Sequence, residues 1–379
     1  MASKQLTLLA SKSQFAQRNG MPLRSDIRHR DATIIADAGE KKMTDTTAPL
    51  ITAVIPTRGR ADLVTRAVFS ALHQTYPHVE VIVVVDGPDA DTLAALKAVD
   101  EQRLRVIALT ENVGGSEARN IGVRAARGTW IALLDDDDQW FPDKLATQIA
   151  VADLPARYFL VTCRRLERQP GRPDVLAPRR GPRAGEDVSE YMFYPEDKRH
   201  HICGPQTSSF LATKELFLAV PFSKGLRCHQ DWDWYLRVMH NDQTVAVMVD
   251  EPLYVMDVAP ERPRMTQIAK WQLSLDWVEA RKNLFTPRAY RSVLINECMF
   301  RCEETTHRTR IFNRLLSLCQ HSGRLRSKDL IAITKWYLFR PSVRLSLRRY
   351  QRQIKASLGG GLLGIRAIER LANKQEAHD

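Results

Sequence analysis

Residues 130–140 read WIALLDDDDQW, an apolar run that passes directly into four carboxylates, Asp135, Asp136, Asp137 and Asp138. Carboxylates crowded in this way raise one another's pKa values, and a hard divalent cation with oxygen ligands removes that cost. Asp135 and Asp137 are two residues apart, so an extended backbone points both to one side, toward one ion or its waters. Asp136 and Asp138 then face elsewhere. Mg2+ or Mn2+ held by one or two carboxylates keeps open positions that a diphosphate can fill, where it offsets charge building on a leaving group. A further acid, Asp231, opens an aromatic stretch with Trp232, Trp234 and Tyr235. Partial burial there raises a carboxyl toward the range of a general base. As a helix N-cap the same residue would feel the positive end of the helix dipole, which acts the other way. Asp233 stands as the alternative base.

The elements that must position these acids begin at Leu50. Short β-rich runs at 51–56, 79–86, 105–110, 129–135 and 158–163 alternate with helical stripes, the first over 62–75 on Leu63, Val64, Ala67, Val68, Ala71 and Leu72. A second helix opens at Gly114-Gly115-Ser116 and runs through Arg127, with Ser116 as N-cap and Gly128 as C′ residue. On it Ala118, Gly122 and Ala125 allow close packing, while Arg119 and Asn120 face the site. This alternation predicts right-handed βαβ units and a mainly parallel sheet. In such a sheet ligands bind beyond the carboxyl ends of the strands. Those ends carry Pro56-Thr57-Arg58, Asp86-Gly87 and Asp135 to Asp138.

Residues 164–183 hold seven arginines and read as a loop or lid beside the site. A short run over 208–213, a helix over 231–240 and a strand over 244–250 follow, and beyond residue 266 the chain reads helical. Residues 1–48 are polar without sustained period and read as a disordered extension, with Met43 a natural start. The expected division is 1–48, a catalytic domain over 49–265, and a helical, basic region over 266–379.

At 379 residues and 44% apolar the chain has the composition of a soluble globular enzyme. No stretch approaches the roughly 18 consecutive apolar residues of a membrane span. Six cysteines fit free thiols in a reducing cytoplasm, and Cys228-His229 and His200-His201-Cys203 match no zinc spacing. The net charge of +12 is uneven: residues 321–379 carry 13 Lys+Arg against 4 Asp+Glu. Basic residues interleaved with Trp336, Tyr337 and Phe339 suit an anionic membrane surface, with the protein peripheral on the inner face of the cell membrane; the other reading is a solvated helical face. Nucleic acid is not an expected partner, because no groove-reading or base-stacking module accompanies the charge.

Five segments, 53–60 (AVIPTRGR), 84–87 (VVDG), 112–122 (NVGGSEARNIG), 134–145 (LDDDDQWFPDKL) and 230–234 (QDWDW), together resemble the successive motifs of family 2 glycosyltransferases. The resemblance covers residues 50 to about 258 and extends to Asp250–Val255. It implies a GT-A fold, a Rossmann-like mainly parallel sheet with a C-terminal helical extension here. It also implies inversion at the anomeric carbon, a nucleotide-sugar donor, UDP-linked, and Mg2+ or Mn2+. The acceptor would be a carbohydrate or lipid-linked one of cell-surface polysaccharide synthesis. By that resemblance Pro56, Thr57, Arg58 and Asp86 bind the nucleoside and Arg119 reaches toward the donor. Asp135 and Asp136 belong to the donor-binding set, Asp135 and Asp137 hold the metal, and Asp231 is the base.

Two departures stand out. Val85 precedes Asp86 where the family often has a second acid, and Gln230 replaces an acid before the base. A carboxamide forms hydrogen bonds but cannot share a proton, which leaves a catalytically silent carbohydrate-binding protein as the alternative. A nucleotidyltransferase would show a Gly-rich, Lys-bearing phosphate loop, which Thr57-Arg58-Gly59-Arg60 does not match. Trp140 and Trp232 read either as sugar-stacking or as core residues.

Overall fold

A computed structural model describes residues 33–36, 48–152, 156–194, 204–258, 271–299 and 308–338. Its strands are β1 (Thr33–Ala36), β2 (Ile51–Thr57), β3 (Val79–Val85), β4 (Leu104–Ala108), β5 (Trp130–Leu133), β6 (Asp138–Trp140), β7 (Tyr158–Arg168), β8 (Val175–Ala177), β9 (Leu211–Thr213) and β10 (Thr244–Asp257). Its helices are α1 (Ala61–Leu72), α2 (Ala90–Lys97), α3 (Gly115–Ala125), α4 (Lys144–Ala150), α5 (Val188–Phe193), α6 (Lys214–Ala219) and α7 (Gln230–Met239). These are followed by α8 (Trp271–Ala280), α9 (Pro287–Val293), α10 (Arg308–His321) and α11 (Ser327–Leu338).

All strands join one sheet in the order β1-β10-β7-β9-β5-β2-β3-β4, with β6 on β10 and β8 on β7. Two parallel blocks, β5-β2-β3-β4 and β7-β10-β1, are welded by β9, which runs antiparallel to both β5 and β7. The sheet is therefore mixed and mostly parallel. From β2 the chain steps outward through β3 to β4 and then returns to the other side of β2 as β5, so the strand order reverses between β2 and β5. A crevice opens at such a reversal, beyond the carboxyl ends.

Both faces of the sheet are covered, and the sequence shows why. β2 and β3 are buried at every position, as strands sandwiched between helices must be. Alternate residues serve opposite faces: Val54, Ile82, Val84, Ile131 and Leu133 join one core, while Ile51, Ala53, Ile55, Val81, Val83 and Ala132 join the other. The second core is roofed by α1 through Val64, Ala67, Val68 and Ala71. The first contains α7 together with Trp271, Leu275, Trp277 and Val278 of α8 and Tyr290 of α9. The C-terminal helices thus share one core with the sheet.

Several expectations change. The 164–183 segment is a β-hairpin of β7 and β8 with its following turn. Arg165, at 4% exposure, is buried and paired with Glu167, and Arg164 is held by Asp250 and the Pro178 carbonyl. Ion pairing lets arginine line a strand that composition alone argues against. β10 runs to Asp257 through two register shifts near Pro252, a tolerated place for proline. Helix α3 begins two residues early: Gly114, at φ 83°, is its N-cap, and Ser116 lies inside the first turn. Gly128 follows an extended Ala126, so it is no C′ residue; a Cβ there would lie 2.6 Å from the Leu50 carbonyl oxygen. The expected 1–48 extension lies outside the described residues except for β1 and residue 48, and so does the basic tail beyond residue 338. Among the described residues no helix is long and apolar enough to cross a membrane.

Gly122 lets α3 lie directly on β2: a Cβ there would overlap Val54 Cγ1 and approach Val84 Cγ2 at 3.3 Å. Gly122→Ala is expected to lower stability by about 1–3 kcal/mol through overpacking, despite the better helix propensity of alanine. Urea unfolding should show a lower midpoint with an unchanged slope.

Candidate active site

The acids meet at the reversal point. After β5 the chain makes a tight turn, with Asp138 N donating to the Asp135 carbonyl at 3.1 Å, and enters β6. The expected strand-like alternation of Asp135 and Asp137 is therefore replaced by a turn, yet the four carboxylates still divide as 135 and 137 against 136 and 138. Asp136 and Asp138 are buried. Asp136 accepts from Thr57 Oγ1 at 2.8 Å and from Arg60 at 2.8 Å. Asp138 accepts from Ser208 Oγ at 2.6 Å, and that same oxygen takes the Asp135 amide at 3.1 Å. Asp135 and Asp137 keep side chains 31% and 25% exposed. Asp135 pairs with Arg119, and Asp137 lies 3.5 Å from Arg60. Burial pushes Asp136 up to about 6 against the pull of Arg60, and the charge of Asp137 adds to the rise.

Asp86, at the carboxyl end of β3, has both oxygens engaged, accepting the amides of Val113 at 2.7 Å and Gly114 at 3.0 Å. A distant carboxylate thus caps the start of α3, where negative charge is favourable. One turn into that helix stands Arg119, 8% exposed. Its guanidinium spans two elements, giving one bond to Asp135 and one of 2.8 Å to Gln230 Oε1 at the start of α7. The amide end of Gln230 donates to the Leu226 carbonyl at 2.7 Å. A carboxylate at position 230 would face that carbonyl with no proton to give, so the carboxamide satisfies both partners.

Asp231 is the second residue of α7, and the helix N-cap is His229. His229 takes a left-handed conformation at φ 59°, which a non-glycine residue adopts only when its surroundings hold it there. They do so here, with its ring stacked on Trp232 at 4.5 Å, packed on Trp277 at 4.7 Å and hydrogen-bonded to Ser274 Oγ at 2.8 Å. Asp231 accepts its neighbour Trp232's amide at 2.9 Å. Part of the residue reaches solvent, but its carboxyl is ringed by protein. Burial pushes it up to about 6 and the Asp135 charge adds to the rise, while the Trp232 amide and Arg119 act in the opposite sense. Desolvation outweighs the helix terminus.

Asp233 cannot share this role. It is fully buried and bound to Arg237 at 2.9 Å, Arg281 at 2.7 Å, Ser223 Oγ at 2.6 Å and Trp277 Nε1 at 3.2 Å. Burial alone would raise it, but the hydrogen bonds from Ser223 and Arg281 and the charges of Arg237 and Arg281 hold it below the ordinary range. Asn120 also leaves the site: it exchanges two hydrogen bonds with the backbone of Phe222, at 2.9 and 3.0 Å. Trp140 and Trp232, both 4% exposed, are core residues, and Trp140 donates to the Ser208 carbonyl.

One cleft of about 800 Å³ is lined by Pro56, Thr57, Arg58, Asp86, Arg119, Asp135, Asp136, Asp137 and Asp231, which unites every predicted site residue. The arginine-rich hairpin contributes nothing to its lining. Sequence reading missed Arg60, Gln206, Thr207, Arg227 and Met256, which also line it, and Ser208, which pins the acid turn. Arg60 could have been found from its place three residues beyond the end of β2. Ser208 gives no local signal, because only the folded sheet brings it to the turn. Among the described residues no three acids, cysteines or histidines converge on one point. A cation here would rest on Asp135 and Asp137, with its other positions left to a ligand, and this donor set fits Mg2+ or Mn2+.

Opposite stability effects should separate the two aspartates of α7. The folded-state pKa of Asp231 is raised, so its charge costs stability above pH about 6, and the cost vanishes below about 4, where the unfolded chain is protonated as well. Asp231→Asn is expected to stabilise at pH 7.5 by on the order of 1–2 kcal/mol, discounted for solvent contact, with the gain fading between pH 6 and 4. Asp233→Asn should destabilise by about 2–3 kcal/mol by stranding two arginines that are themselves partly exposed. Thermal unfolding across pH measures both.

Residues 52–217 match the family model for glycosyl transferase family 2. The succinoglycan biosynthesis protein ExoO of Rhizobium meliloti is 46% identical over 105 residues, 28% of this chain and 30% of that protein. The Escherichia coli UDP-Glc:alpha-D-GlcNAc-diphosphoundecaprenol beta-1,3-glucosyltransferase WfaP is 31% identical over 110 residues, 29% of this chain and 44% of that protein. The chain thus spans less than half the length of these relatives. Among solved structures, the mannosyltransferase PcManGT of Pyrobaculum calidifontis, in complex with GDP-Man and Mn2+, aligns with a TM-score of 0.50 at 18% identity, covering 80% of this chain and 84% of that one. That likeness is one of fold. The acid turn at the sheet reversal therefore lies within a glycosyl transferase family 2 domain that this chain contains over residues 52–217.

Proposed function

We propose that the chain is an inverting glycosyltransferase of GT-A type that moves a sugar from a nucleotide-diphosphate donor, UDP-linked, to a hydroxyl of a carbohydrate or lipid-linked acceptor in cell-surface polysaccharide synthesis. The observation that carries this reading is the placement of Asp231, shielded and raised to about 6, on the same cleft as the acid turn. A base and a diphosphate-binding edge facing one space are what a single displacement requires. The succinoglycan biosynthesis named for one relative and the UDP-Glc transfer to a diphosphoundecaprenol-linked sugar named for the other support the substrate classes.

In this reading Pro56, Thr57, Arg58 and Asp86 receive the nucleoside beyond β2 and β3. Asp135 and Asp137 face the diphosphate, and Asp136 braces Thr57 and Arg60 beside it. Mg2+ or Mn2+ on Asp135 and Asp137 would offset the charge of the departing diphosphate. Asp231 takes the acceptor hydroxyl's proton as that oxygen bonds to the anomeric carbon and the bond to the diphosphate oxygen breaks. Entry and departure on opposite faces invert the configuration. Arg119 keeps the two halves in register through Asp135 and Gln230. Residues 49–265 form the catalytic unit, and the helical region after 266 supports α7 through Trp277 and Arg281.

A silent binding protein finds no favouring observation, since Gln230 is engaged by Arg119 and the Leu226 carbonyl, and Asp231 keeps its own carboxyl on the cleft. Nucleoside diphosphate release from UDP-sugars, with and without acceptor, tests the choice. Turnover should need Mg2+ or Mn2+ and stop on chelation. Asp137→Asn should raise the metal concentration required, and Asp231→Asn should cost 10²–10⁴ in rate while donor still binds. The acidic limb of kcat/KM should fall near pH 6, as the base must be ionised. A metal-independent rate, or an Asp231→Asn variant as fast as the parent, would sink the proposal.

A further inference from the structure

Helix α11 is docked by one face and open on the other. Ile333 is buried in the core, and the buried Asp329 accepts the Arg326 amide at 3.0 Å and lies 3.8 Å from Arg291. On the opposite side Ser327, Leu330, Ile331 and Thr334 recur at i, i+3, i+4 and i+7, the spacing of one helical stripe. All four are exposed, Leu330 at 50% and Ile331 at 56%. Along the sequence, the charge on either side of this stripe is basic. Arg324 and Arg326 are exposed just before it. The sequence adds Lys328 and Lys335 within the helix and Arg340, Arg344, Arg348, Arg349, Arg352 and Lys355 after it, with no acid from 330 through 368. The one acid of the helix, Asp329, is turned inward.

We propose that this face docks on an anionic lipid surface, with Leu330 and Ile331 entering the headgroup boundary and Arg324 and Arg326 meeting lipid phosphates. Charge complementarity selects that occupant. A folded-back tail would bring positive charge onto a positive face, and nucleic acid would use the charge but not the apolar pair. The inference stands apart from the catalytic reading, to which it adds only that the cleft is held where a lipid-linked acceptor would be.

The test is flotation of the full chain with vesicles of phosphatidylcholine alone and of phosphatidylcholine with phosphatidylglycerol. The parent should float with the anionic vesicles and not the neutral ones, and added salt should weaken it. The Leu330→Ser/Ile331→Ser pair should bind about tenfold or more weakly, as expected for two apolar side chains removed from the interface, with an unchanged thermal midpoint. Arg324→Gln/Arg326→Gln should weaken it by a similar factor, given about 1 kcal/mol for each basic residue. Equal flotation of the serine pair and the parent would overturn the proposal. So would a lowered midpoint in that pair, which would mean the face is covered from within the chain, or parental binding to RNA in place of vesicles. Soluble donor turnover in the same samples should not change, and its absence would count against the catalytic reading alone.

Discussion

Asp135 lies in the turn that follows β5, and Gln230 begins α7, the helix that carries Asp231; the guanidinium of Arg119 is bound to both. Hydrogen bonds involving a charged partner are worth about 1.5–3 kcal/mol each, more than a neutral pair. The consequence is electrostatic as much as geometric. Burial raises the Asp231 carboxyl most, the Asp135 charge adds to the rise, and Arg119 acts against both.

The fold supplies the rest by fixing where Arg119 starts. Helix α3 is pinned at its beginning by Asp86 and pressed onto β2 at Gly122. The acid turn is fixed by Ser208 below and by Thr57 and Arg60 beside it, across the point where strand order reverses. Helix α7 is held from the far side by Asp233, which ties it to Arg281 of the segment after α8, and by His229, clasped between Trp232 and Trp277. The C-terminal helices are therefore part of what positions Asp231.

The alternation of β-rich runs and helical stripes was readable because parallel strands buried on both faces become continuous Val and Ile runs, as in residues 79–85. Most of the cleft was readable for a related reason: acids and arginines at the carboxyl ends of such strands have nowhere else to face. What could not be read depends on distant partners. Asp231 and Asp233 are chemically alike and two residues apart, and only Arg237, Arg281 and Ser223 distinguish a spent ion pair from a raised carboxyl. Arginines in the 164–183 hairpin look like loop residues until their pairing with Glu167 and Asp250 lets them lie in a sheet. The four aspartates differ in burial, Asp136 and Asp138 buried and Asp135 and Asp137 partly exposed, but all four line the cleft, and the difference arises from a turn and not from strand alternation.

Arg119 joins the acid turn to α7 and also favours the ionised form of the Asp231 carboxyl, against the burial that raises it. Carbon-13 NMR titration of the Asp231 carboxyl in the parent and in Arg119→Gln reads this directly, with no need for turnover. The parent should titrate near 6, and the variant clearly higher, because a positive charge that favours the ionised form has been removed. A parent value near the ordinary 4 of aspartate, or an identical titration in the two proteins, would contradict the account.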